Sequence, residues 1–538
     1  MASTKILTIV YFISVISLCL ANLTDYLKGT DRTFNEIEGK VLDFNISMSK
    51  EVYDEFIENA QLTFPVYYGK YHGQFPDEMK KEFKVNLNIT LGNEVYSFDK
   101  VGFKIGGSVS RTCVKLGYNL KLKNKQSFLG RKNLRLKADI YDITHIRSKL
   151  GSDLMNKWNL PSIQESYSRL YINGKYMGFY FLTDSIKPNW IKEKYHLPET
   201  EEVKTLYNCK KMGMKFYPEA MGACVNEKEE YLNYTQPLVE MVQEVVNYST
   251  VDQLKNKFDV DTLRKQMITE YLLGSYDHFL IAGHNYHLYQ QPNGLWQVIA
   301  RDLDTLFLGQ IEMAISKGMP LDIKVKDNMV EYAKAKFEDW YSESIKKPFV
   351  DAIYYNDKKT FRKVLKEMLI TDFNKYELFP RIDELAKFVA PYVKEDITRD
   401  ENGNMPGFIN EFGQRDNDTY TMEMFWGSVN YLQTSRNIGV KHFIDLKFDA
   451  VCKHFNFNKK EILREAKIYQ KKRETQRLID EVKAELDVTI EEYNKLKNTV
   501  VHSVRKLKEK NHELKKIKKN IDKLNKKLKK LQNKYKNY

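Results

Sequence analysis

The stretch "YDHFLIAGHNYHLYQQPNGLWQVIARDLDTLF", residues 276–307, decides how this chain is read. Apolar segments flank the turn Gln291-Pro292-Asn293-Gly294, a pattern that predicts a two-stranded hairpin. Three polar residues frame it: Asp277 before the first strand, Asn285 at its start and Asp302 just past the second. They are either caps on a hairpin or the carboxylates and amide of a metal–nucleotide site. Working outward from this stretch separates the two.

The chain has 538 residues, 42% of them apolar and 13% aromatic, enough for a large core and too apolar for wholesale disorder. Its net charge of +14 is unevenly placed. Residues 501–538 hold 15 Lys and Arg against 3 acids, so all but +2 of the charge belongs to the C-terminal tail. The preceding residues are nearly neutral and have no nucleic-acid signature. At the N-terminus, Lys5, the apolar run "ILTIVYFISVISLCL" and the small residue Ala21 read as a signal peptide over residues 1–21. No later apolar run reaches the ~20 residues of a spanning helix, so the mature chain is expected to be exported without a transmembrane span. Six glycosylation sequons occur, at Asn22, Asn45, Asn88, Asn233, Asn247 and Asn417. Four cysteines follow the signal: Cys113, Cys209, Cys224 and Cys452, with Cys209 and Cys224 the best-placed pair.

Residues 40–125 alternate polar and apolar, as in "KVNLNITLGNEVYSFDKVGFKI", and read as antiparallel strands. Ile143, Ile146, Leu150, Leu154 and Trp158 have helical spacing, with Asp142 placed to cap. "SRLYINGKYMGFYFLTDSI" is a hairpin around Asn173-Gly174. Helical patterns dominate 236–275 and 330–395, giving an α+β order. From Ile479 through Leu486, Tyr493, Val500, Leu507, Leu514, Ile521, Leu528 and Tyr535 an apolar residue recurs every seventh position. Val482, Leu496, Ile517, Leu524 and Leu531 fill most second-seam positions, interrupted by Thr489, Ser503 and Lys510. This pattern predicts a basic coiled coil used for self-association.

Phosphoryl transfer needs a carboxylate at the attacking hydroxyl, a further carboxylate and an amide on Mg²⁺, and a lysine with backbone N–H groups around the phosphates. Asp277, Asn285 and Asp302 follow the order of the protein-kinase catalytic loop and its metal-binding Asp, although Asn285 lies eight residues after Asp277, more than in a kinase loop. Four ordered stretches resemble the spore coat protein H (CotH) kinases, a divergent protein-kinase-like family. They are "FKIGGSVSRTCVKLGYNLKL", "RKNLRLKADIYDITHIRSKLGSDL", "LYINGKYMGFYFLTDSI" and the opening stretch itself.

The resemblance spans about residues 40–445 and implies an atypical two-lobed protein-kinase-like domain. It implies Asp277 as catalytic base, and Asn285, Asp302 and Asp304 on Mg²⁺ or Mn²⁺. Gly106, Gly107 and Ser108 become the phosphate turn, and Lys115 or Lys121 the ATP-contacting lysine. The chain departs from the family at Asp184, where Glu is usual, at Arg301, where Trp is usual, and at Gly117, which interrupts the lysine strand. His278, His284 and His287 crowd the site without a standard metal spacing; His284 and His287 are read as orienting Asn285 or facing solvent.

The expected organisation is a signal peptide at 1–21, a linker at 22–39, the kinase-like domain at 40–445, a helical linker at 446–475 and the coiled coil at 476–538. The expected activity is transfer of the ATP γ-phosphate to Ser or Thr of an exported protein, in the secretory route or at the cell surface. The alternative is a surface adhesin that uses a CotH-like fold without catalysis.

Overall fold

The computed structural model describes residues 26–538 except 124, 212–214, 317, 320, 322, 324–327, 416–418 and 434–436. The signal segment and the sequons at Asn22 and Asn417 lie outside the described residues. The chain forms two compact units, one of residues up to Leu365 with Leu378–Asn456, the other Lys366–Glu377 with Phe457–Tyr538.

In the first unit seven strands close into a barrel in the order β1-β2-β3-β4-β5-β7-β6. They are β1 (Val41–Ser47), β2 (Phe83–Leu91), β3 (Glu94–Gly106), β4 (Gly117–Lys121), β5 (Asn133–Lys137), β6 (Glu165–Ile172) and β7 (Lys175–Asp184). Strict alternation drives closure. Phe83, Val85, Leu87, Ile89 and Leu91 of β2 enter the barrel core while Lys84, Asn86 and Asn88 face out. Parallel pairing of β1 with β6 completes the ring. The β6–β7 hairpin turns at Asn173 (φ 49°) and Gly174 (φ 81°), the two positive-φ positions a tight hairpin of this type demands.

The all-strand expectation for 40–125 misses a helix and three short helical turns. Helix α1 (Lys50–Ala60) starts at Ser49, whose hydroxyl accepts from Val52 N. Its Phe56 ring packs on Phe83, Phe103 and Tyr118 of the barrel core. Helix α2 (Arg147–Lys157) carries the expected apolar face, and Asp142 accepts from the backbone N–H groups of Thr144, Ile146 and Arg147. Two longer helices, α3 (Val260–Leu272) and α4 (Lys375–Asp396), are separated in the chain by shorter helices and by Lys358–Thr371. Arg381 of α4 meets Asp153 of α2 at 2.7 Å and Glu38 at 3.0 Å, and Arg32 and Lys149 also hold Glu38. Buried charges of this kind persist only when each has a partner.

A second sheet holds β8 (Leu206–Cys209), β9 (Val225–Asn226), β10 (Tyr286–Gln290) and β11 (Trp296–Ala300), in the order β11-β10-β8-β9. Cys209 and Cys224 form the expected disulfide, tying β8 to the start of β9; Cys113 and Cys452 are buried thiols. After α5 (Val440–His454) the second unit contains α6 (Lys459–Asn498) and α7 (Val504–Lys536). The segment expected as a linker is therefore helical from both sides.

The heptad row does not run through one helix. Residues 499–503 interrupt it, and α7 turns back along α6, with Val482, Leu486 and Leu524 buried among Ile521, Leu528 and Leu531. Thr499, Val500 and Val501 are β-branched and favour helix weakly, and Ser503 caps the new helix. The unbroken coiled coil read from spacing is a helical hairpin within one chain.

Candidate functional site

The opening stretch is both a hairpin and a cluster. β10 and β11 pair antiparallel from Tyr286↔Ala300 to Gln290↔Trp296 around the expected turn. Asp277 sits in the loop before β10 and Asp302 directly after β11. Asn285 joins them. Its amide N–H donates to Asp277 Oδ2 at 2.8 Å, and its backbone carbonyl accepts from Arg301 N at 2.9 Å. His284 Nδ1 lies 3.1 Å from the other Asp277 oxygen, so both carboxylate oxygens of Asp277 are oriented.

Asp302 adopts φ 63°, a conformation uncommon for residues other than Gly, Asn and Asp. The buried His278 fixes the peptide ahead of it. Its Nε2–H donates to the Arg301 carbonyl at 2.8 Å while Nδ1 faces Ser275 Oγ at 2.6 Å. Burial lowers the His278 pKa, which favours the neutral ring that this pair of contacts needs. Of the three histidines, then, His284 orients Asp277 rather than Asn285. His287 is buried against Glu227 at 3.0 Å and does not face solvent.

The lysine of the site is Lys137. Its Nζ lies 2.5 Å from Asp302 and 3.1 Å from Asp304, with Arg135 at 3.9 Å and Arg301 at 4.0 Å from Asp302. Burial alone would raise the Asp302 pKa; Lys137, Arg135 and Arg301 outweigh it and hold the carboxyl well below its ordinary value. Asp304 goes the other way, raised by burial and by its proximity to Asp302 against the pull of Lys137. Asp139 and Glu165, buried near the same ammonium, are also raised by burial, Glu165 to about 7. The charge of Lys137 is thus committed chiefly to Asp302.

Neither lysine expected from the resemblance takes this position. Lys115 is buried, 2.6 Å from Asp396 and donating to the Phe179 carbonyl at 3.0 Å. Lys121 is exposed at the far end of β4, opposite Gly102 and Asn133. The missed signal was local. In "NLRLK" of β5, Leu134 and Leu136 enter the barrel, which places Arg135 and Lys137 together on its outer face.

The glycine turn lies on that same face. Gly106 pairs with Gly117, and a Cβ on Gly117 would meet Leu136 O at 3.0 Å and Lys137 Cα at 3.7 Å. Gly106, Gly117 and Lys137 therefore line up across adjacent strands, about 10 Å end to end. Gly107 has φ 90°, and a Cβ there would collide with Ser110 Oγ; Gly107 and Ser108 are exposed. Gly117, an apparent flaw in the lysine strand, is what allows the close approach of β5. At the other departure, Asp184 is buried and accepts from Gln164 N and Trp190 Nε1 beside Arg131, and burial raises it to about 6.

Among the described residues no three His, Cys, Asp or Glu side chains converge as a closed metal cage. The donors present suit a different kind of site. One ammonium already touches both Asp302 and Asp304, and Mg²⁺ is held by one or two carboxylates together with phosphates and water. Asn285 spends its N–H on Asp277, which leaves its amide oxygen for a cation.

A family model described as CotH kinase protein matches residues 103–435, a span that contains every one of these groups. Invasin CotH3 of Rhizopus delemar is 25% identical over 69% of this chain and 62% of its own length. Invasin CotH2 of the same fungus is 22% identical over 72% of this chain and 66% of its own. Inner spore coat protein H of Bacillus subtilis is 21% identical over 54% of this chain and 79% of its own. The chain spans slightly under two thirds of the length of the two invasins. With the family pattern covering more than half of its residues and enclosing the Asp277–Asn285–Asp302 cluster, the chain belongs to the CotH kinase protein family.

Proposed function

We propose that the chain is an atypical kinase that transfers the γ-phosphate of ATP to Ser or Thr hydroxyls of an exported protein. The observation that carries the reading is Lys137 bridging Asp302 and Asp304 beside the Asp277–Asn285 pair. Asp302 and Asp304, with the Asn285 amide oxygen, are the groups that would hold Mg²⁺ or Mn²⁺, and the ion supplies neutralisation of phosphate charge. Lys137 is a second cation for the phosphates, and the backbone of Gly106–Ser108 offers N–H groups to them. Asp277, oriented by His284 and Asn285, accepts the proton of the acceptor hydroxyl. An exported or surface location is supported by the naming of the Rhizopus relatives as invasins. Among the described residues no helix is long and apolar enough to cross a membrane.

The test is incubation with labelled ATP and Mg²⁺ or Mn²⁺, with nucleotide binding followed by calorimetry. Asp302→Ala should lose Mg-ATP binding and transfer together. Asp277→Asn should keep nucleotide binding while transfer falls by roughly 10²–10⁴, as for loss of a general base. A second reading, a surface binding protein without catalysis, rests on the same invasin names. It gains if ATP with either metal produces neither transfer nor a thermal shift, since a ligand at a hundred times its Kd stabilises by ~2.7 kcal/mol.

A further inference from the structure

The second unit carries a charge pattern that phosphoryl transfer does not use. In α7 the apolar residues Ile521, Leu524, Leu528 and Leu531 are turned to α6. The flank beside this seam is almost purely lysine. Lys516, Lys519, Lys523, Lys527, Lys530 and Lys534 follow at steps of three or four residues, so they form one straight row. The row spans 18 residues, about 27 Å of helix, with one ammonium roughly every 5 Å. All six side chains are exposed, and none forms an ion pair among the described residues. Acids are near in sequence: Asp480, Glu481, Glu485, Asp487, Glu491 and Glu492 lie on α6. Yet of these only Glu485 reaches the groove walled by Asn520, Lys523, Leu524, Lys527 and Lys530.

We infer that this row and groove bind a linear acidic polysaccharide, a chain bearing a carboxylate or sulfate on successive or alternate sugars. The spacing selects among polyanions. Duplex DNA presents a charge every ~1.7 Å, far denser than the row, and the rings beside the row, Tyr535 and Tyr538, lie at its C-terminal end rather than along it. A membrane-surface helix needs an exposed apolar face to enter the headgroup layer, and that face of α7 is spent on α6. Lysine without arginine fits a spaced row of single charges better than planar, two-point recognition of phosphate. A sugar polymer with one charge per residue repeats at a distance comparable to a helical turn, so its anions can meet successive lysines.

The experiment uses the full-length chain with heparin, polygalacturonate and neutral dextran, in buffers of rising salt. Both acidic polymers should bind, dextran should not, and affinity should fall at least tenfold over a fourfold rise in salt, as for several displaced counterions. Replacing the six lysines by glutamine, which keeps helix propensity, should weaken binding by about a hundredfold or more. Replacing them by arginine should retain it, and circular dichroism confirms the hairpin in each variant. The inference fails if the glutamine variant binds as tightly, or if neither acidic polymer binds at low salt. It fails equally if duplex DNA or phosphatidylserine vesicles bind more tightly than both polysaccharides.

Discussion

Lys115 and Lys137 are both buried beside aspartates, and they should fail differently. Lys115 faces Asp396 across 281 residues of sequence, under the Tyr180 ring. Lys115→Met leaves that carboxylate buried without its partner, which typically costs about 3–5 kcal/mol and is visible as a lower Tm. Lys137→Met should act on ligand binding instead, because it removes a cation from the outer face where Gly106 and Gly117 converge. Calorimetric titration with Mg-ATP separates the two: a weakened Kd is expected for Lys137→Met and an unchanged one for folded Lys115→Met. His278 makes a third case. His278→Ala frees the Arg301 carbonyl and lets Asp302 leave φ 63°, so the metal concentration needed for the nucleotide-induced thermal shift should rise severalfold, while shifts measured at saturating metal recover.

At the scale of elements, the helical hairpin changes how the tail should be cut. α6 is continuous from Lys459 and is held within its own unit by Gln470 to the Tyr376 carbonyl and by Arg473 to the buried Glu377. Ending the chain at 469 would break these contacts; ending it at 478 removes the apolar seam and spares them. We propose that copies associate through this hairpin, since Val488, Ile490, Val500, Val504 and Leu507 remain exposed on it. Light scattering should report a multiple of the 63.6 kDa chain mass for the whole protein and a single chain for the version ending at 478. Leu524→Asp places a charge in the buried seam, so helix content should fall with it. An unchanged mass after truncation would mean that the hairpin serves only its own chain.

Across the whole molecule, stability should carry the mark of Lys447. This lysine of α5 is fully buried, without a hydrogen-bond partner, among the rings of Tyr271, Trp340 and Phe443. Burial lowers its pKa to about 7 from an ordinary 10.5. Between those values the folded chain binds fewer protons than the unfolded one, so the contribution is full above the unfolded pKa and is lost as pH falls through 7. Denaturant melts should therefore show a rise in stability on the order of a few kcal/mol from pH 7 to 10.5 that is absent in Lys447→Met. At neutral pH the methionine variant should also be the more stable, having no buried charge to desolvate. A parallel pH profile in both proteins would remove Lys447 from the account.

What was legible in the residues was local. Asn173-Gly174 announces its hairpin because a two-residue turn demands positive φ at both positions, and Gly294 (φ 84°) supplies the positive φ of the longer turn at 291–295. The order Asp277, Asn285, Asp302 announces the site because all three lie within one supersecondary unit. Alternation also identified β1 to β4, since a period of two is set by each strand's own backbone, whereas β5, β8 and β9 were not read from it. Tertiary structure alone decided which lysine meets Asp302. Lys115, Lys121 and Lys137 all lie on or beside strands, and only the closing of the barrel determines that one enters the interior, one reaches solvent and one meets Asp302 and Asp304. The heptads failed for a related reason. Seven-residue spacing specifies that an apolar stripe exists but not its partner, and weak helix formers at 499–501 let the chain supply that partner from itself. Contacts such as Lys137 with Asp302, 165 residues apart, depend on the packing of whole elements, and no periodicity of a few residues encodes them.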